Sequence, residues 1–298
     1  MRLHDFDICR FSVASVSLPD GAPGRPASLP PQWQTINPAH AIQSASAIVT
    51  FSEEITSFVV KRLSDALRTD AQALGLIKEE PINMMLFQLQ PGGVAQTKPS
   101  TQAGTTFQRV QGSNVVQSLS VTTQALRLDT FAYTRWIAFR EQMDKFLTKA
   151  MPLVAQASQV NSIALEYVDF FYATDAGSAD AQLIIDRGSD LIARKAFNRR
   201  SPFHSHSGWF ESETAVGRRL VNIDVTVNDA AGPVGIRRAI TIRTHESEQV
   251  IDLASVKAAE FLDASVILAA MDVLHVSLKK RRRSVLTRDA AAMISLGN

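Results

Sequence analysis

The stretch that most limits how this chain folds is the twelve-residue run from Asn161 to Tyr172, Asn-Ser-Ile-Ala-Leu-Glu-Tyr-Val-Asp-Phe-Phe-Tyr. Apolar residues occupy both alternating positions, so an extended chain here is apolar on both faces. A strand of that kind belongs in the interior of a sheet. Its two charges, Glu166 and Asp169, are three residues apart and point to opposite faces. A buried carboxylate needs a partner or a catalytic use; Arg127 and Arg135 are the candidate partners, and general acid or base work is the rival reading.

Periodicity extends this reading along the chain. Ala47–Phe51 is predicted as a strand, followed by a helix with Ser52 at its N-cap, Glu53 and Glu54 in the first turn, and Ile55, Val59, Leu63 and Leu67 on its apolar stripe. Ile82–Leu89 reads as a buried strand, residues 94–106 as a loop, and Thr106–Val110 and Val115–Thr130 as strands. Arg135–Ala150 is the clearest helix: Trp136, Phe139, Met143, Phe146, Leu147 and Ala150 share one face, with Arg140–Asp144 and Glu141–Lys145 pairs outside. Leu220–Val227 alternates cleanly, and Ile236–Arg243 is its expected hairpin partner across Gly232–Gly235. A long helix is expected from Ala254, then a short one capped by Thr287.

The predicted class is α+β, a mostly antiparallel sheet with helices packed on one face and a duplicated β-α-β-β plan as an option. Three segments are expected. Residues 1–36 are an arm with a short strand (Phe6–Val16) and a linker holding five prolines between Leu18 and Pro31. Residues 37–175 form a first α+β unit, and 176–298 a second that ends in the long helix.

Composition removes whole classes of function. With 45% apolar residues the chain buries a core, and 31 basic against 29 acidic residues is not the balance of a globally charged nucleic-acid or membrane binder. A lone cysteine, Cys9, excludes a disulfide framework. No secretory signal or membrane span is read, so a cytoplasmic protein is expected. No phosphate-binding glycine loop, dinucleotide fingerprint or nucleophile elbow occurs.

Four segments together resemble a sporadically distributed family of uncharacterised bacterial proteins of about 250–300 residues, over residues 37–298. They are Asn37-Pro38 with Ala47–Phe51, Tyr133-Thr134-Arg135-Trp136-Ile137-Ala138-Phe139, Leu165-Glu166-Tyr167-Val168-Asp169, and Leu274–Lys279 with Leu286-Thr287. The resemblance implies a bacterial cytosolic protein, patchily inherited, in accessory, defence or mobile gene sets. It brings no activity.

Two clusters carry candidate chemistry. Lys279, Lys280, Arg281, Arg282 and Arg283 form the densest charge run. They suit phosphate, nucleic acid or an acidic partner, or else a solvated helix end favoured by the dipole, with Asp272, His275, Lys279 and Arg282 on one exposed face. Arg199 and Arg200, with Arg194-Lys195, Arg218-Arg219 and Arg237-Arg238, are the further basic candidates. The second cluster is His204, His206 and Glu211. In a strand the two histidines share a face, and the spacing resembles the first metal motif of cupins. Here, however, Arg238 stands where a second-motif histidine belongs. His245 is the candidate for a third ligand, with nothing in the sequence to place it beside the pair.

The expected function is a non-catalytic binding or assembly protein with a protein partner, no catalytic residue and no cofactor. The alternatives are a nucleic-acid or nucleotide binder using the basic second half and a metal-dependent enzyme at the His-x-His site. Self-association is compatible with the first.

Overall fold

In the computed structural model the described residues are 33–37, 39–84, 87–89, 95–97, 101–174, 179–198, 202–212, 217–232, 235–250 and 263–294. The expected strand Phe6–Val16, the proline-rich linker, Cys9, and Arg199 and Arg200 lie outside them.

The apolar run is a strand in the middle of a sheet, β9 (Val160–Ala173). Ahead of it come β1 (Trp33–Thr35), β2 (Ile42–Phe51), helix α1 (Ser57–Ala73), β3 (Lys78–Met84), β4 (Phe87–Leu89), β5 (Ala95–Thr97), β6 (Thr101–Gln111), β7 (Asn114–Thr122), β8 (Ala125–Thr130) and α2 (Trp136–Val154). After it come β10 (Phe203–Glu211), β11 (Gly217–Gly232), β12 (Gly235–Val250), α3 (Ala264–Val285) and α4 (Arg288–Met293), with short 3-10 turns at Ala181–Leu183 and Arg194–Asn198. Ten strands form one sheet in the order β10-β11-β12-β9-β2-β8-β7-β6-β3, with β1 paired to the end of β9. Every pair is antiparallel. The class is thus α+β with a mostly antiparallel sheet. The sheet is continuous past residue 175, because β9 pairs with β12 from Ser162 to Tyr172.

Alternation decides which side chains enter the core. Leu165 and Tyr167 of β9, Ala47 and Val49 of β2, Leu119 and Val121 of β7, and Leu126 and Leu128 of β8 pack with Leu63 and Leu67 of α1, Met143, Phe146 and Leu147 of α2, and Met271, Leu274 and Leu278 of α3. A second cluster joins Trp33, Phe171, Val221, Ile223, Val225, Ile240 and Ile242 to Leu286 and Ala290 near α4. Burying one such leucine or phenylalanine is worth about 1.5–3 kcal/mol.

Several boundaries differ from the sequence reading, each for a local reason. Ser52 does not cap α1. Its N–H is bound to the Gln159 carbonyl and Ile55 is pinned to the Thr123 carbonyl, so the chain stays extended until Thr56. Thr56 caps instead, its hydroxyl accepting from Val59 N at 3.4 Å. The run Val115–Thr130 is two strands, because Thr122 Oγ1 accepts from the N–H groups of Gln124 and Ala125 and closes a turn. The strand expected at Ile82–Leu89 is split: β3 spans Lys78–Met84 and, among the described residues, is an edge bonded only to β6, while Phe87–Leu89 is β4, paired with β5. Part of the expected loop at 94–106 is the start of β6. β12 runs on past Arg243 to Val250. In the described residues the last long helix starts at Ala264, where Asp263 caps Ser265 N at 2.7 Å. Thr287 caps α4 as expected, with Asp289 in its first turn. Among the described residues no helix is long and apolar enough to cross a membrane.

Candidate functional site

The stripe Asp272, His275, Lys279, Arg282 on α3 is a solvated face only at Lys279, which is exposed. Asp272, His275 and Arg282 face α2 and β9, where charged and aromatic partners meet them. Asp272 accepts from the Trp136 indole at 2.8 Å and from Arg140 at 2.9 Å, so Arg140 serves the helix packing rather than Asp144. His275 stacks on Trp136 with centroids 4.8 Å apart and meets the Tyr167 hydroxyl at 2.9 Å. Burial, reinforced by Arg282 and Lys279, lowers its pKa to about 4, so it is neutral at physiological pH. Arg282 is 4% exposed and grips Asp169, Nε to Oδ2 at 2.6 Å and Nη2 to Oδ1 at 2.7 Å. Burial pushes the Asp169 carboxyl up, and the Arg282 charge opposes it.

Arg281 also turns inward. It pairs with Glu211 and lies 3.4 Å from the fully buried Glu246, which also accepts from Ser277 at 2.8 Å. Burial raises the Glu246 pKa against the pull of Ser277, Arg219 and Arg281. Arg219 pairs with Glu248 and lies 3.6 Å from Glu246. The basic run therefore divides: Lys279, Lys280 and Arg283 face solvent, whereas Arg281 and Arg282 neutralise buried acids. The other basic pairs divide as well. Arg218 is exposed and lies 4.2 Å over the Phe210 ring, while Arg219 occupies the opposite face. Arg238 is bound to Asp229 at 2.6 Å. Arg194 and Lys195 are exposed on their 3-10 turn.

The three-ligand metal set is not assembled. His204 and His206 do share a face of β10, where His206 Nδ1 meets Asp224 at 2.5 Å and His204 Nδ1 meets Thr226 at 2.9 Å. Glu211 is five residues beyond His206, and strand alternation turns it to the other face, toward Arg281. His245 is held 3.5 Å from Glu166 on β12, with β11 between it and the histidine pair. Among the described residues no group of three His, Cys, Asp or Glu side chains is placed to hold a metal ion.

Glu166 and Asp169 do point to opposite faces, but their partners are neither Arg127 nor Arg135. Glu166 is bound by Arg243 at 2.6 Å and flanked by His245. Burial raises its pKa, yet His245 and Arg243 outweigh burial and hold it below the usual carboxylate range. These partners lie 77 to 113 residues away in sequence, beyond any local pattern.

The two ends of the sheet differ in kind. β3 carries Lys78, Glu79, Glu80 and Pro81 in succession, with a bulge at Ile82–Asn83. Lys78 and Glu80 are 2.7 Å apart, and Arg68 reaches Glu79 at 2.9 Å. Charges, a proline and a bulge are what keep an exposed edge from pairing. β10 has none of these. Its nine residues, Phe-His-Ser-His-Ser-Gly-Trp-Phe-Glu, run in unbroken register with β11, and the one formal charge, on Glu211, is at the end. Among the described residues β11 is its sole strand partner. Phe210 is 53% exposed. Ser205 and Ser207 tie β10 to the preceding segment through side chains only, accepting from Ala193 N at 3.0 Å and donating to the Leu191 carbonyl at 2.7 Å. Among the described residues no backbone hydrogen bond reaches the outer edge of β10. Sequence reading treated this stretch as a metal motif; the usable signal was the lack of charge and proline over a strand-forming run.

A scan against protein-family models found no match, and a search of curated protein sequences found none either.

Proposed function

We propose that the protein is a non-catalytic binding or assembly component that joins its partner by adding a strand to the open edge of β10. The observation that carries this is the contrast between the sheet's two ends, one guarded by charge, proline and a bulge, the other bare. In the same proposal the helices lie on one face of the sheet and the two halves repeat one plan. β2 and β9 sit side by side at the centre; beyond β2 the order is β8-β7-β6-β3, and beyond β9 it is β12-β11-β10. β8 leads into α2, and β12 is the last strand before α3. On that correspondence β10 matches β6, and among the described residues the second half has no counterpart of β3. Its place in the plan is the outer edge of β10.

The rival readings have less support. Arg281 and Arg282 already neutralise buried acids, which leaves the nucleic-acid reading with Lys279, Lys280 and Arg283 of that run. The metal reading has lost Glu211 to the opposite face.

The test is to purify tagged protein from its source cells as wild type and as His204→Lys/Phe210→Lys. Both side chains are more than half exposed. The expected result is a stoichiometric partner polypeptide, which includes untagged copies of this chain, lost in the variant while its unfolding curve is preserved. Recovery of the same polypeptides by both proteins overturns the reading. So does turnover of a substrate that one point substitution abolishes.

A further inference from the structure

We infer that the strand added at β10 is β10 of a second copy of this chain, running antiparallel about a two-fold axis that is perpendicular to the sheet and passes midway between the two Ser207 residues. This rests on the strand-addition reading above. Full overlap of the nine residues sets the register: Phe203 opposite Glu211, His204 opposite Phe210, Ser205 opposite Trp209, His206 opposite Gly208, and Ser207 opposite itself.

The pairing is self-complementary in its inner positions. No like charges face each other, His206 meets Gly208, Trp209 meets Ser205 and Phe210 meets His204, and only at the two ends does Phe203 face Glu211, whose charge is already paired with Arg281. Gly208 is bare for a reason inside the protein, since a Cβ there would sit 2.7 Å from Asn222 Oδ1. In this register His206 of the other copy meets a residue with no side chain, beside the chain's own His206, whose Nε2 lies 3.4 Å from that Cβ position. Phe210, half exposed, gains the ring of His204. The axis keeps the histidine face of one sheet continuous with that of the other, over a shared edge of about 30 Å. The same operation at β3 fails. Pro81 would stand on the axis without an N–H, and the bulge at Ile82–Asn83 breaks the register. An isologous pair at β10 therefore closes as a dimer, because the two-fold uses the β10 edge of each copy once and the other end of the ten-stranded sheet is the guarded β3.

Sedimentation of the full chain at micromolar concentration tests this. Wild type is expected at twice the 32.6 kDa chain mass. His204→Lys/Phe210→Lys places two lysines opposite each other on both sides of the axis, and self-affinity is expected to fall at least about tenfold. His204→Lys/Phe210→Glu differs only at position 210, makes the same cross-pairs complementary, and is expected to restore a dimer that weakens with salt. Should the double-lysine protein fail to fold, amide hydrogen exchange of wild type gives a second reading: β10 amides are expected to be protected in the dimer and to lose protection on dilution. Wild type that stays monomeric overturns the inference, as does equal dimerisation of both variants. A monomeric wild type whose co-purifying partner is lost in the double-lysine variant removes self-pairing while leaving strand addition standing; retention of that partner removes both.

Discussion

Replacing Arg282 with methionine separates a structural arginine from a binding one. Asp169 is 1% exposed, and both its oxygens are held by the Arg282 guanidinium. Methionine fills a similar volume and leaves the carboxylate without its counter-ion. Breaking a buried pair on one side costs about 3–5 kcal/mol, a large share of the 5–15 kcal/mol that holds a typical domain together. Urea unfolding at pH 7 is therefore expected to show a lower midpoint with an unchanged slope. Arg282→Met/Asp169→Asn removes the orphan charge and is expected to recover about half of the loss or more. The pH dependence has a fixed sign. Burial already raises the Asp169 pKa against Arg282, and without Arg282 it rises further. A carboxyl whose folded-state pKa lies above its unfolded value destabilises the fold as pH climbs from the unfolded value through the folded one. The cost of Arg282→Met is thus smallest near pH 4 and grows as pH rises toward the folded-state pKa. A loss below about 1 kcal/mol, the size expected of an exposed pair, or strict additivity of the two substitutions would refute the reasoning. It would also return Arg282 to the surface as a candidate for binding.

Three further outcomes follow from the packing. His275 has a folded-state pKa of about 4, below its unfolded value of 6.5, so the fold is expected to lose stability as pH falls through that window. The effect is about 1–2 kcal/mol after discounting for the solvent-facing part of the ring, and His275→Phe is expected to flatten the slope in urea titrations across pH. Phe146→Ala, at a fully buried position on α2, is expected to cost about 3–5 kcal/mol by the same measurement. Gly208→Ala places a Cβ 2.7 Å from Asn222 Oδ1, the end of a side chain that can turn away, and narrows the place assigned to His206 of the second copy, so self-affinity is expected to fall; an unchanged self-affinity would contradict the pairing.

What was legible in the sequence depended on how local its cause was. β9, α2 and the alternating part of β11 follow from side-chain period alone, and the structure has them where the period requires. The start of α1 was misread because Ser52 followed by two glutamates is the stronger local cap signal. Thr56 wins through tertiary bonds from Gln159 and Thr123 that hold the intervening chain extended. The basic run on α3 looked like a surface because its acids lie far off in sequence, Asp169 on β9 and Glu246 on β12. β12 itself was cut short at Arg243, since His-Glu-Ser-Glu lacks apolar residues at either parity. Its inward glutamates are buried against Arg219 and Arg281 rather than in an apolar layer. The histidines of β10 were legible as one face of a strand. That this strand ends the sheet was not, because edge position is set by pairing order. The composition that distinguishes a guarded edge from a bare one was in the sequence throughout, in Lys78–Pro81 against Phe203–Phe210.

On the proposal above, β10 is an unguarded edge that takes up another strand, from a second copy of the chain. The most direct measurement is the molar mass of the full-length protein in solution, run side by side for wild type, His204→Lys/Phe210→Lys and His204→Lys/Phe210→Glu. The account predicts a dimer, a monomer and a salt-sensitive dimer in that order. A wild-type monomer, or a mass indifferent to the charge placed at position 210, would contradict it.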